Sequence, residues 1–284
     1  MPHKKTYKYV IMILFMAMIV EHWILKLVSD SKLERLTIET VTKQEFRDQE
    51  IGEKLLTYVI ENQTPSTEIG IYLLESKFGY QEFQETFSKE SFAALKKKWM
   101  AQEGWQIYQK FMSAIWDDLK YFPIPESTVD NDMTVTYVNS WMSERTYGGN
   151  RGHEGTDIMS TQNLPGIYPI VSMTDGVVRS KGWLEKGGYR IGVEAPSGAY
   201  FYYAHLDSYA SVEIGDEIKA GDLLGFMGDS GYGPEGTTGK FPVHLHVGVY
   251  IYPEEKEMSI NPYWLLRYLE NRRVKCSYSC RDIR

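Results

Sequence analysis

The chain changes character at Tyr121-Phe122-Pro123-Ile124-Pro125, and that change limits the folds open to it. Before this stretch, apolar residues recur at helical spacing and glycine is sparse. After it, short β-branched and aromatic runs are separated by glycine turns, the pattern of an antiparallel sheet. The two prolines end helix and favour extended chain at the boundary. A mainly β domain of antiparallel sheets over 127–270 is therefore predicted, preceded by an α-helical region over 29–126. A basic tip and apolar helix occupy 1–28, and 271–284 forms a C-terminal tail.

In the helical region, Phe46, Leu55, Leu56, Val59 and Ile60 give an apolar stripe that stops at Asn62-Gln63-Thr64-Pro65. Ser66-Thr67-Glu68 reads as a start signal for Ile69 to Phe78, with Gly79 as terminator. Two more helices are expected over Ser91–Gln102 and Trp105–Leu119. Trp99, Trp105 and Trp116 fall at helical spacing and are expected in a core, and Lys96-Lys97-Lys98 is expected on a solvated face. Such a region can act as a spacer, a substrate-positioning module or an inhibitory cap.

At the N-terminus, Lys4, Lys5 and Lys8 precede the uncharged run Tyr9 to Val20, and Trp23-Ile24-Leu25 resumes it after Glu21 and His22. The uncharged run alone is shorter than the roughly 20 residues a span needs, but continuing to Val28 supplies the length. With the lysines on the cytoplasmic side, a single-pass signal anchor is predicted, its downstream domains outside the cell membrane. A cleaved signal peptide is the weaker reading, because no small-x-small site follows the apolar run.

The 284 residues suffice for one large or two modest domains. A net charge of -7 argues against a sequence-independent grip on nucleic acid, which needs a basic face. The 21 tyrosines and 7 tryptophans suit either a β core or a groove for an extended polymer. Cys276 and Cys280 are compatible with a local disulfide or with free thiols. Nothing in the sequence sets an oligomeric state.

Of the six histidines, His153, His205, His244 and His246 all fall in the glycine-rich half, and Asp157 follows His153 by four. On a strand over Val243–Tyr252, His244, His246, Gly248 and Tyr250 share one face while Leu245, Val247, Val249 and Ile251 share the other. The apolar set enters the core and both histidines face a groove. His205 is expected at the tip of the aromatic strand Phe201-Tyr202-Tyr203-Ala204. Two imidazole nitrogens and one carboxylate oxygen make three ligands for zinc, leaving an open position, which is the catalytic arrangement. His153-Glu154-Gly155-Thr156-Asp157 looks like a helical zinc signature, but that motif needs a helix. Gly148, Gly149, Gly152 and Gly155 each cost about 1 kcal/mol in a helix relative to alanine, so Glu154 is not expected to act as a general base.

The ordered set Gly152-His153-x-Gly155-x-Asp157, Tyr203-Ala204-His205-Leu206, the Gly-Asp turns of Val212 to Gly228, and His244-Leu245-His246 resembles the lysostaphin-type (LytM-like, glycyl-glycine/DD-endopeptidase) zinc metallopeptidases that cut peptidoglycan. The resemblance covers roughly 145–265. It implies one zinc held by His153, Asp157 and His246, with His205 and His244 as catalytic histidines that do not bind the metal, and with Tyr147 lining the site. The implied activity is a membrane-anchored endopeptidase acting on peptidoglycan cross-links or stem peptides on the cell-wall side. The alternative is a non-hydrolysing or latent scaffold on the same fold, which the presence of every site residue disfavours. Phe241-Pro242-Val243 departs from the family pattern in a long glycine-rich segment expected to wall the groove.

Overall fold

The computed structural model describes residues 3–33, 36–62, 65–79 and 89–280. The expected helix stop at Gln63-Thr64 and the last four residues of the tail lie outside the described residues. The helices are α1 (His3–Leu33), α2 (Ile38–Thr42), α3 (Gln44–Arg47), α4 (Gly52–Asn62), α5 (Pro65–Glu75), α6 (Lys89–Met100), α7 (Trp105–Trp116) and, after the sheet, α8 (Tyr263–Leu269). The strands are β1 (Glu126–Ser127), β2 (Val135–Thr136), β3 (Glu144–Arg145), β4 (Arg151–Gly152), β5 (Thr156–Ser160), β6 (Pro169–Val171) and β7 (Gly176–Leu184). They continue with β8 (Gly188–Glu194), β9 (Tyr200–Tyr209), β10 (Glu217–Ile218), β11 (Leu223–Met227), β12 (His244–Ile251), β13 (Met258–Ile260) and β14 (Lys275–Cys276). The chain is thus a mainly β domain with an N-terminal helical region.

α1 is one continuous helix, but among the described residues no helix is long and apolar enough to cross a membrane. The expected membrane-spanning anchor is therefore not borne out. Its apolar run is broken by Glu21 and His22 before it reaches spanning length.

Helices α5 and α7 pack where Gly70 lets Tyr108 and Met112 approach; a Cβ at Gly70 would stand 3.2 Å from each side chain. The Tyr108 hydroxyl donates to the Gly70 carbonyl at 2.9 Å. Trp99, Trp105 and Trp116 are all buried in this core, as their spacing requires. The helical region is held against the sheet domain by part-buried polar contacts. Trp116 Nε1 donates to Gln49 Oε1 within the region, while Trp141 Nε1 donates to Asp48 Oδ1 and Asn261 Nδ2 to the Asp48 carbonyl across the boundary.

Ten strands form the central sheet, in the order β10-β7-β8-β9-β12-β5-β2, with β11 bridging β9 and β6 and β13 beside β12. These pairings are antiparallel. Strict alternation gives the sheet two unlike faces. Ile191, Val193, Phe201, Tyr203, Leu245, Val247 and Val249 fill the core on one side, each fully buried. The described part of the tail folds back onto the domain: β14 pairs in parallel with β1, and the Tyr278 hydroxyl donates to the Pro125 carbonyl. Cys276 and Cys280 are both free.

Candidate metal centre

The other face of the sheet carries a groove of about 560 Å³. Strand register decides which side chains meet in it. On the antiparallel pair β12/β5, His246 lies directly opposite Asp157, and facing residues of such a pair bring their Cβ atoms within about 5 Å. His153 arrives from the turn just before β5. The three donors converge: His153 Nε2 is 3.0 Å from Asp157 Oδ1 and 3.0 Å from His246 Nδ1, and His246 Nδ1 is 2.9 Å from Asp157 Oδ1. No other group of three or more possible His, Cys, Asp or Glu ligands gathers in this way among the described residues.

Gly155 makes the convergence possible. A Cβ there would fall 2.4 Å from His246 Cε1 and 2.6 Å from the Val247 carbonyl oxygen, so any side chain would displace the His246 ring. His153 is buried, and its Nδ1 is turned toward Ser140, 3.0 Å from the hydroxyl and 3.2 Å from the carbonyl oxygen, which orients Nε2 toward the other donors. Burial works to raise the Asp157 pKa, but hydrogen bonds from His153 and His246 and the nearby His244 hold it well below the usual carboxylate range. Arg145 adds an ion pair at 2.6 Å to the second carboxylate oxygen. Burial pushes the His246 pKa down. A carboxylate that stays ionised and an imidazole that stays neutral are the protonation states in which these groups bind metal.

His205 and His244 stand beside the three donors with their rings 4.7 Å apart. His205 lies within β9 rather than at its tip. Its backbone is left-handed (φ 64) where β9 shifts register against β8 and β11, and such a bulge re-aims a side chain toward the site. Each histidine has Nδ1 2.7 Å from a carbonyl oxygen, Ser230 for His205 and Pro242 for His244. A carbonyl only accepts, so Nδ1 carries a hydrogen, and in the neutral ring Nε2 is then the acceptor. For His244, Nε2 lies 3.8 Å from Asp157 Oδ1. Burial, then the neighbouring His244 and His246, keep the His205 pKa well below its ordinary value.

Residues 31–118 match the LytM N-terminal domain, and residues 151–262 match peptidase family M23. A crystal structure of a protein from Ruminococcus gnavus ATCC 29149, provisionally assigned as a glycyl-glycine endopeptidase lytM, is 56% identical; the match covers 84% of this chain and 95% of that one, with a TM-score of 0.79. The chain belongs to peptidase family M23. It is 42% identical over 150 residues to the L-Ala–D-Glu endopeptidase of Bacillus subtilis (strain 168), covering 52% of this chain and 43% of that protein. It is 33% identical over 87 residues to the glycyl-glycine endopeptidase ALE-1 of Staphylococcus capitis, covering 30% of this chain and 22% of that protein. The matches thus span less than half the length of both relatives.

M23 proteins are zinc metallopeptidases, and the donor set here fits that metal. Two imidazole nitrogens and one carboxylate oxygen on one side of an open groove are a three-ligand catalytic zinc set. Tyr147 is not brought to this set. It sits before the positive-φ glycines Gly148 and Gly149 and stacks on Tyr232 at 4.0 Å, and it is Tyr232 that lines the groove. Glu154 lines the groove at the rim and pairs with Arg47 of α3 at 3.2 Å, in keeping with a solvated, non-catalytic carboxylate.

The segment before β12 does wall the groove, through Tyr232, Phe241 and Pro242, and the Phe241 ring meets His205 at 4.6 Å and His244 at 5.0 Å. The strand alternation placed Tyr250 of β12 on the groove face with the histidines, but sequence reasoning missed the arginines of the groove and the rest of its tyrosine floor, Tyr200 and Tyr202 on β9. The alternation applied to β12 would have found the floor had it been applied to β9. Among the described residues, none of those lining the groove comes from the helical region.

Proposed function

We propose that this metallopeptidase is an endopeptidase of the cell wall, hydrolysing peptide bonds in peptidoglycan cross-links or stem peptides. The observation that carries the reading is the convergence of His153, Asp157 and His246 beneath two further histidines in an open groove. The names of the relatives bring two bond classes to this chain, an L-Ala–D-Glu bond and a glycyl-glycine bond.

Bound by His153, Asp157 and His246, zinc supplies a Lewis acid for the scissile carbonyl and for water. The protein's own groups handle the proton. The bare Nε2 of His205 or His244 accepts it from the attacking water and returns it to the departing amine, while Nδ1–H stays fixed on the Ser230 or Pro242 carbonyl. The protonated ring then sits where negative charge develops on the carbonyl oxygen. Tyr147 enters through Tyr232, on which it stacks at the groove mouth. A non-hydrolysing scaffold gains no support, since every group this chemistry needs is present.

A peptidoglycan substrate puts the sheet domain on the outer side of the cell membrane. The apolar surface of α1, with Ile13, Leu14 and Phe15 all exposed, supports attachment there, and failure of the full chain to sediment with lipid vesicles would count against it.

The test is digestion of purified peptidoglycan by the zinc-loaded chain, with mass spectrometry of the released peptides. His246→Ala should lose both zinc and cleavage. His205→Ala should keep zinc and lose about 10²–10⁴-fold in turnover. A His246→Ala protein that stays fully active would sink the assignment.

A further inference from the structure

The groove gathers four cations against three carboxylates on a chain whose net charge is -7. Arg145, Arg151, Lys186 and Arg190 line it. Two are engaged: Arg145 with Asp157, and Lys186 with the Gly148 carbonyl at 3.5 Å. The other two are not. Arg190 Nη1 and Arg151 Nε are buried atoms with no hydrogen-bond partner, and no carboxylate pairs with either side chain among the described residues. Of the carboxylates that also line the groove, Glu154 is held by Arg47, Asp157 faces the metal donors, and Glu257 accepts from the Tyr252 hydroxyl at 3.5 Å. A buried guanidinium donor without a partner is costly, and the fixed fork of these two half-buried side chains is suited to a carboxylate.

We propose that Arg190, assisted by Arg151, forms a carboxylate-binding subsite that selects anionic stem peptides over neutral glycine bridges. The inference rests on the peptidase reading above and names its substrate class. Arg190 lies on β8, separated from β12 by β9 alone. At the usual strand spacing that is roughly 10 Å from His246, or about three residues of extended peptide. The floor between them is apolar ring surface. Tyr202 lies beside His246, with ring centroids 6.1 Å apart, and the Arg190 charge bears on its hydroxyl. Gly187 and Gly192 keep this floor open: a Cβ at Gly187 would meet the Tyr202 hydroxyl at 2.3 Å, and one at Gly192 the Tyr200 hydroxyl at 1.8 Å. A peptide laid across the strands thus has its scissile bond at the metal donors and a side-chain or terminal carboxylate at Arg190. A polyglycine strand offers no carboxylate to the two half-buried arginines and leaves Arg190 Nη1 and Arg151 Nε without a partner.

The experiment uses the zinc-loaded full chain and three soluble substrates: a stem peptide with a free glutamyl carboxylate, the same peptide with that carboxylate amidated, and pentaglycine. Wild type should cleave the acid with kcat/KM about tenfold to a hundredfold above the amide, the difference residing in KM. Arg190→Gln should shrink that ratio, Arg190→Lys should keep part of it, and Arg151→Gln/Arg190→Gln should bring it to about one, each with zinc content retained. An acid-to-amide ratio near one in wild type, or an unchanged ratio in the double variant, overturns the subsite. If pentaglycine is cleaved and the acid holds no advantage over its amide, the peptidase reading stands and this inference fails. If the zinc-bound chain cleaves purified peptidoglycan but none of the three, the peptidase reading stands and the subsite fails; if it leaves the peptidoglycan intact as well, the peptidase reading fails and takes the subsite with it.

Discussion

The two faces of the central sheet are built from the same strands by opposite rules. On β12, Leu245, Val247 and Val249 are fully buried among apolar neighbours, and any well-packed apolar set of equal volume would serve there. One residue over, His244 and His246 face a groove whose parts are held by specific contacts, each sensitive to a single atom. The groove face also carries features that oppose stability: a left-handed backbone at His205 and two unpartnered arginine atoms. Stability comes from one face, and the other uses it to hold strained and charged groups in place.

The hardest test of that division is Gly155→Ala. The new methyl would sit 2.4 Å from His246 Cε1 and 2.6 Å from the Val247 carbonyl oxygen, and the carbonyl belongs to the strand pairing and has nowhere to go. The ring must yield, so zinc should be lost on dialysis against a weak chelator, and cleavage with it, by at least about a hundredfold. Full zinc content in this variant would show that the metal donors tolerate movement that the geometry denies them. The converse is Leu245→Ala, on the same strand but the opposite face. It should lower stability by about 2–5 kcal/mol and the unfolding midpoint by on the order of 10 °C, yet bind one zinc below that midpoint. Zinc loss at a temperature where the fold persists would mean that the faces are coupled.

Much of this division is legible in the amino-acid sequence. The alternation over Val243–Tyr252 assigns each face of β12 correctly because side-chain direction there depends on nothing beyond strand geometry. The helices of the N-terminal region are legible for the same reason, although the helix expected from Ser91 begins two residues earlier, at Lys89. What the sequence withholds depends on register and on distant chain. His205 reads as a strand-end residue because a bulge leaves no local signature; its turn into the groove follows from register shifts against β8 and β11. Arg145 lies on the two-residue strand β3, outside the central sheet, and nothing near it in sequence announces its bond to Asp157. Tyr147 has the family spacing, but spacing does not reveal that Tyr232, 85 residues on, takes up its ring.

The helical region gives the smallest expected effect and the most informative one about that region. Arg47 is its contact with the groove rim: Nε donates to the Ser259 carbonyl at 2.8 Å, and Nη2 donates to Ser259 Oγ at 2.6 Å and to Glu154 Oε1 at 3.2 Å. The Arg47 side chain is 17% exposed but that of Glu154 is 49% exposed, so the ion pair is screened and contributes a few tenths of a kcal/mol. Most of what Arg47 supplies is its grip on Ser259, which bridges α3 to β13. Arg47→Ala should therefore cost about 1–2 kcal/mol of stability, well below Leu245→Ala, and change kcat/KM on a soluble peptide by less than about threefold, which is under 1 kcal/mol. A tenfold or larger change in rate at unchanged zinc content would mean that the helical region acts on the groove through Glu154. It would then be a working part of the peptidase, and its packing behind the sheet would have to be read as control of the site as well as support for it.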